Sequence, residues 1–296
     1  MYLDNYQCFL DKLLIVLVLY KRDLKASESF QSIIDSLKIT DNSTSVFIYD
    51  NSPRPINSID SSNELIVHYK TDISNPGVSK AYNEGFTYAK KNGKQWLLLL
   101  DQDTSFKDDF LQKYYDAFNN NPDIFLFAPI LKLDSGEIYS PCKYKFPRTS
   151  ILKKIDPGMK DIKNLSLLNS GILISASTFQ EVGGYNEGLS LDFSDFEFLD
   201  RYRKIKDRFV VVDTEAVHGF SGVQDELDVS LLRFRRYCQS SLVMCSIHHS
   251  ILDKIKLVTI ALLRSIKLSL KFKSAKFAII FVKIFIFQLN YQTRLK

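Results

Sequence analysis

Large apolar residues fall into short unbroken blocks separated by polar turns, which is the pattern of strands buried on both faces with helices between them. Blocks at residues 13–19, 45–49, 65–69 and 96–100 read as four strands. Between the first two, Phe30, Ile33, Ile34 and Leu37 recur at helical spacing over residues 27–37. Asn75-Pro76-Gly77-Val78 opens a second helix, with proline near the first turn where its missing N–H costs nothing, and Asn92-Gly93 ends it. The order β-α-β-β-α-β predicts an α/β domain with a mostly parallel central sheet of the nucleotide-binding kind.

Downstream, residues 107–118 read as a helix, 124–133 as a strand and Asp134-Ser135-Gly136-Glu137 as a hairpin turn. Residues 139–157 are too irregular to assign, and such long loops often act as lids. A strand lies within 167–175, a short helix starts at Ser177, and Gly183-Gly184-Tyr185-Asn186 turns the chain. Residues 192–197 then open a helix that continues through Leu199 and Tyr202. Residues 209–212 are a strand, with His218-Gly219-Phe220 in the loop beyond it. From Val229 onward the pattern is helical, so residues 1–228 are expected to form the nucleotide-binding domain and 229–296 a helical, membrane-associating region.

Charge separates the second region from the first. Net charge is +5, but from residue 250 to the end ten Lys or Arg face the single Asp253, so that segment carries +9 and the remainder −4. Lys256, Arg264, Lys267, Lys271, Lys276 and Lys283 are interleaved with Ile, Leu and Phe. This suits helices lying on an anionic membrane surface, lysine stems snorkelling while apolar side chains enter the headgroup boundary. A buried helical cap is the alternative. Nucleic acid is disfavoured, because runs such as Ile279-Ile280-Phe281-Val282 do not suit a polar strand-binding groove. No apolar stretch approaches the roughly 20 residues of a bilayer span, and the N-terminal apolar block is only seven residues long, is preceded by Asp4 and Asp11 and lacks a small-residue cleavage site. The expected location is therefore cytoplasmic, peripheral on the inner face of the cell membrane. Four cysteines without Cys-x-x-Cys spacing read as reduced thiols and not as a metal framework.

The fourth strand runs straight into Asp101-Gln102-Asp103-Thr104-Ser105. Ligands of open α/β sheets bind at this carboxyl edge, and two carboxylates at i and i+2 can share a divalent cation that in turn holds phosphates. The competing reading is a turn that caps the next helix, which Thr104-Ser105 would also suit. Asp50, Asp195 and His218 likewise fall just past predicted strands or in the loops between them. Asp192, Asp195 and Glu197 place three carboxylates within six residues, more than helix capping requires. Asp195 could act as a general base on an incoming hydroxyl, and His218 could be a third metal ligand or a phosphate contact.

Taken in order, Tyr20, Tyr49-Asp50-Asn51-Ser52, residues 75–85 and Leu100-Asp101-Gln102-Asp103-Thr104 resemble the inverting family 2 glycosyltransferases, in particular their bacterial rhamnosyltransferase branch. Asn169-Ser170-Gly171, residues 183–187, Asp192-x-x-Asp195-x-Glu197 with Arg201, and His218-x-x-x-Gly222 resemble that branch's acceptor-side, catalytic and closing segments. The resemblance implies a GT-A fold and transfer from a nucleotide-sugar donor to a hydroxyl of a lipid-linked or polysaccharide acceptor in bacterial surface glycan synthesis. It implies that Tyr20, Asp50, Asn75, Gly77, Asn83, Asp101 and Gln102 shape the donor pocket, and that Asp101, Asp103 and His218 hold Mg²⁺ or Mn²⁺. By the same resemblance Asp195 is the base, with Asp192 the second candidate, and Asn169, Ser170, Gly171 and Glu197 face the acceptor. Rhamnose from dTDP-rhamnose is the first choice of donor, with UDP-galactose or UDP-glucose the alternative, since Lys21-Arg22 stands where the family usually has Asn-Pro. A haloacid-dehalogenase-type phosphatase would need a later Gly-Asp-x-x-x-Asp, which the chain lacks. A degenerate nucleotide-sugar-binding subunit that recruits a partner to the membrane is the non-enzyme alternative, and a homo-oligomer is left open.

Overall fold

The computed structural model describes residues 5–55, 65–219, 226–248 and 250–288; Phe220 and Gly222 of the closing segment, and Arg294 and Lys296 of the basic tail, lie outside the described residues. Helix α1 (Tyr6–Lys12) leads into β1 (Leu13–Leu19), α2 (Glu28–Thr40), β2 (Thr44–Asp50), β3 (Leu65–Thr71), α3 (Val78–Lys91) and β4 (Trp96–Asp101). Then come β5 (Thr104–Phe106), α4 (Phe110–Asn120), β6 (Leu126–Leu133), β7 (Ile138–Lys145), β8 (Arg148–Leu152), β9 (Gly158–Asp161), β10 (Leu165–Ser166) and β11 (Ile172–Ser175). The chain closes with α5 (Ala176–Val182), α6 (Ser194–Tyr202), β12 (Arg208–His218), α7 (Leu227–Ile247), α8 (Ile251–Lys271) and α9 (Lys276–Val282).

The central sheet has the order β10-β7-β6-β11-β4-β1-β2-β3. Within its core, β4, β1, β2 and β3 are mutually parallel, and β11 is antiparallel to both β4 and β6. The α/β fold with a mostly parallel core is as expected. Unbroken apolar blocks are needed here because alternate residues feed opposite layers. Leu13, Ile15, Leu17 and Leu19 pack on one face with α2 and α4, while Leu14, Val16 and Val18 pack on the other with α3, α5 and α6. Register places Val18 beside Asp101 and Leu19 beside Asp50, so three strand ends meet at one edge.

Three sequence expectations are corrected. Thr104-Ser105 caps no helix: these residues form β5, paired antiparallel to β12, with His218 opposite Thr104. Residues 139–157 are no irregular lid but carry the β7–β8 hairpin, in which Pro141 and Pro147 break the alternation that would have marked strands. The strand expected at 209–212 runs on to His218, which is therefore strand and not loop. Its pairing with β6 jumps between Val211 and Glu215; this bulge carries Asp213 and Thr214, whose polarity mimics a strand end.

The C-terminal helices pack against the sheet domain. Phe193 touches the α7–α8–α9 cluster, and Leu189 is buried with Met244, Cys245 and Leu257, against which Phe146 of the hairpin also packs. The four cysteines are free thiols. No helix among the described residues is long and apolar enough to cross a membrane.

Gly77 sits where α3 begins, at φ 100°, and a Cβ there would meet the Ser190 carbonyl oxygen at 2.0 Å. The next N–H, of Val78, donates to that same carbonyl at 2.8 Å. Gly77→Ala is therefore expected to cost about 2–4 kcal/mol of stability, read as a lower denaturant midpoint at constant slope. An unchanged midpoint would mean that this close approach is dispensable.

Candidate active site

A cavity of about 410 Å³ opens at the carboxyl edge of the sheet, lined by Tyr20, Asn51, Asn75, Gly77, Asp101, Gln102, Asp103, Asn169, Ser170, Asp195 and His218 among others. Ten of the residues singled out from sequence thus meet in one place although they come from six separate segments. Each is held by local chemistry. The Gln102 side chain accepts from the Tyr20 N–H at 2.8 Å and donates to its carbonyl at 3.2 Å, tying the end of β4 to the end of β1. Ser27 donates to the Gln102 carbonyl at 2.8 Å, and Ser29 bonds the main chain of Thr104 from beneath. The loop between the two carboxylates is thereby fixed from the side of α2.

Asp101, Asp103 and His218 offer one ligand atom each within 4.8 Å of one another. Ser170 accepts from the Asp101 N–H at 3.2 Å and donates to Thr104 Oγ1 at 2.8 Å, which lies 2.9 Å from His218 Nδ1. The bulge in β12 and its pairing with β5 are what bring His218 here. Tyr82 donates to Asp101 Oδ1 at 2.9 Å. Burial raises the Asp101 pKa, with the Asp103 charge adding to the rise, and His218 and Tyr82 opposing it. A carboxylate disfavoured in this way is one a cation would relieve.

Asp195 stands in the first turn of α6, its carboxylate accepting from the Phe196 N–H at 2.9 Å. Burial pushes its pKa up to about 7; the Asp101 and Asp192 charges add to the rise while main-chain hydrogen bonds oppose it. Such a group can take up and release a proton near neutrality. Asp192 is not among the cavity-lining residues. Burial raises its pKa against the lowering effect of Arg264, Arg233 and Arg236, and its Oδ2 is buried with no hydrogen-bond partner among the described residues.

Four other expected site residues also lie behind the lining. Asp50 is fully buried, accepting from the Ser52 N–H at 2.8 Å and the Tyr69 hydroxyl at 2.6 Å. The neighbouring Asn51 lines the cavity instead, and its Oδ1 is buried without a partner among the described residues. Asn83 clamps the 183–187 turn to α3, accepting from the Tyr185 N–H at 2.8 Å and donating to its carbonyl at 2.9 Å. Gly171, at φ 87°, is wedged against Pro129, and its carbonyl accepts from Tyr114. Glu197 makes a two-pronged ion pair with Arg201, at 2.8 and 2.7 Å. These residues shape the site at one remove.

The sequence reading gives no site role to Tyr139, Arg233 or Arg236, all of which line the cavity, although residues 236–239 faintly match the family's Arg-Tyr-Tyr segment. Tyr139 is on β7, in the segment left unassigned, and its ring lies 6.0 Å from that of His218. Arg233 and Arg236 are three residues apart on α7, so one helix face presents both. That spacing was the available signal.

Comparison with known proteins follows the same lines. The sequence model described as "Glycosyl transferase family 2" matches residues 15–175. The dTDP-rhamnosyl transferase RfbF of Shigella flexneri is 27% identical over 130 residues, which is 43% of this chain and 43% of that protein. In structure, residues 1–349 of S. aureus TarS in complex with UDP align with a TM-score of 0.51 at 13% identity, over 84% of this chain and 69% of TarS 1–349. The same protein in complex with UDP-GlcNAc aligns with a TM-score of 0.52 at 12% identity, over 84% and 70%. The structural likeness bears on the fold, a GT-A-like α/β architecture.

Proposed function

Because the chain belongs to glycosyl transferase family 2, we propose that it moves a sugar from a nucleoside-diphosphate donor to an acceptor hydroxyl in a single displacement with inversion. The observation that carries this reading is the meeting of the Asp101–Asp103–His218 cluster with Asp195 in one cavity. Two carboxylates and an imidazole whose ligand atoms lie within 4.8 Å of one another suit a divalent ion such as Mn²⁺ or Mg²⁺. Held by these three side chains, Mg²⁺ or Mn²⁺ would supply positive charge to the departing diphosphate.

The protein's own groups do the rest. Tyr20 and Asn51, at the ends of β1 and β2, hold the base and ribose, with the unpartnered Asn51 Oδ1 waiting for a donor N–H or hydroxyl. Asn75, Gly77 and Gln102 complete the donor wall. Arg233 and Arg236 close over it from α7 and meet the negative charge that grows as the bond to the anomeric carbon breaks. Asp195 takes the proton of the acceptor hydroxyl while that oxygen attacks the anomeric carbon from the opposite side. Asn169 and Ser170 flank the acceptor, and Asp50, Asn83, Gly171 and Glu197 keep the walls in place.

Rhamnose from dTDP-rhamnose remains the preferred donor, supported by the RfbF similarity, with UDP-galactose or UDP-glucose as the alternative. The acceptor is a hydroxyl of a lipid-linked or polysaccharide glycan at the anionic inner membrane surface. Support for the membrane comes from α8, where Ile251, Leu252 and Leu270 are 72%, 68% and 74% exposed beside Lys254, Lys256, Lys267 and Lys271. A donor panel tests the reading: with Mn²⁺ or Mg²⁺ one nucleotide sugar is consumed, rhamnose from dTDP-rhamnose first. Consumption of none by metal-loaded protein would favour the binding-subunit alternative.

A further inference from the structure

The cations of α8 do not all face outward. Lys256 and Lys267 are exposed, but Arg264, between them on the same helix, is half-buried and lays its guanidinium over the Tyr237 ring of α7, 4.2 Å from the centroid. Tyr237 in turn packs against Phe193, with centroids 5.6 Å apart and planes 35° apart. Phe193 starts α6, two residues before Asp195. Its carbonyl accepts from the Glu197 N–H at 3.0 Å, and its backbone is left-handed, at φ 68° and ψ −2°. Among the described residues it is the one aromatic residue at positive φ, a conformation that a bulky side chain keeps only when its surroundings impose it.

Contacts on three sides impose it. Before the turn, the Ser190 carbonyl accepts from the Val78 N–H at 2.8 Å and Ser79 donates to the Leu189 carbonyl, so residues 189 and 190 are pinned to α3. After it, Ser194 donates to the Leu191 carbonyl at 2.9 Å. Phenylalanine has no side-chain acceptor, and α6 accordingly starts without a side-chain cap. What holds Phe193 is its ring, which packs on both clusters of the C-terminal helices. Asp192 precedes it, with Oδ2 buried and no hydrogen-bond partner among the described residues. Arg264 is the largest of the opposite charges acting on Asp192, ahead of Arg233 and Arg236. One guanidinium thus acts on both the ring that supports the turn and the carboxylate within it.

We propose that Arg264 is a positioning residue for glycosyl transfer: from α8, through Tyr237 and Phe193, it holds the turn that starts α6 and so keeps Asp195 aimed at the acceptor hydroxyl. The C-terminal helices thereby take part in the reaction. A guanidinium stacked on an aromatic face is attracted by the ring's quadrupole, the more strongly where water is excluded, so removing the cation loosens the turn by more than the packing of its stem. Because residues 189 and 190 are pinned to α3 separately, the donor wall is spared and the effect falls on the chemical step. This role rests on the glycosyl-transfer reading above, with Asp195 as base.

Steady-state transfer by the full chain, with metal and the donor selected by the panel, tests it. Arg264→Met keeps the stem and removes the cation; kcat should fall about tenfold while donor KM stays within about twofold. Arg264→Lys restores a cation over the ring and should return kcat to within about twofold of the parent, whereas a role in packing alone would leave lysine no better than methionine. In the Asp195→Asn background, Arg264→Met should cost less than about twofold further, because the base whose aim it sets is gone. Phe193→Gly, which is free at positive φ but lacks the ring, should lower kcat and spare donor KM in the same way, and it carries the test by itself if Arg264→Met does not fold. Parent kcat in these variants, a loss that appears in donor KM, failure of lysine to rescue, or an undiminished effect in the Asp195→Asn background would overturn the proposal. If Asp195→Asn itself transfers at the parent rate, the base reading fails; loss in Asp195→Asn with full activity in both Arg264→Met and Phe193→Gly sinks the positioning role alone.

Discussion

Asp195→Asn is expected to lower the transfer rate by about 10²–10⁴-fold, the usual contribution of a positioned general base, while donor affinity stays within about twofold. Asparagine keeps the shape of the side chain and can still accept from the Phe196 N–H, so what is lost is the proton acceptor alone. The pH dependence carries the same signature. With its pKa pushed up to about 7, Asp195 is protonated and unable to act as base below that pH, so kcat/KM of the parent should fall about tenfold per pH unit on the acid side. Stability moves the other way. A carboxyl whose folded pKa is raised above its usual 3.8 favours the fold while protonated, and that contribution is lost as pH rises from about 4 through about 7. Asp195→Asn removes this loss, so relative to the parent the variant should gain stability between pH 5 and pH 8. Full transfer activity in the variant would eliminate Asp195 as base and move attention to Asp192.

Asp103→Asn is expected to cost about 10²–10³-fold in turnover, corresponding to several kcal/mol of lost stabilisation at the leaving group. Unlike the base variant, it should also weaken both donor binding and Mn²⁺ binding measured in the presence of the nucleoside diphosphate. Chelation of the parent should reproduce the loss, with Mn²⁺ or Mg²⁺ restoring it. Since Asp103 approaches His218 at 3.7 Å and Asp101 is held by Tyr82, the two carboxylates are not equivalent. Tyr82→Phe should shift metal affinity through Asp101 without removing a ligand. Undiminished turnover in chelator would remove the metal from the account.

The parallel half of the sheet was legible because β1, β2 and β4 bury both faces, so their apolar runs are continuous. The Asp-x-Asp position follows from that directly, since the run stops where the strand leaves the core. Elsewhere two kinds of information are absent from a linear pattern. The β12 bulge places polar Asp213 and Thr214 inside a strand, and Pro141 in β7 with Pro147 in the turn after it mimics loop, so His218 and Tyr139 reach the site through elements that the pattern does not predict. The other is direction. Asp50 and Asn51 are adjacent and both polar, yet one is fully buried beneath the edge and the other lines the cavity. Asn83 stands in a segment that resembles the family, but its partner is Tyr185, which only the fold brings beside it, whereas the Glu197–Arg201 pair is four residues apart on one helix and could be read from spacing. Arg233 and Arg236 belong to a helix read at first as membrane-facing, and it was the packing of α7 over the sheet edge that turned them into the cavity.

The central claim is a single displacement assisted by Asp195, and the anomeric configuration of the product tests it most directly. With metal and the donor chosen by the panel, proton NMR of the transferred or water-released sugar, recorded before mutarotation, should show the anomer opposite to that of the donor. Release of the donor's own anomer would mean a double displacement through a covalent or ion-pair intermediate, and would contradict the account.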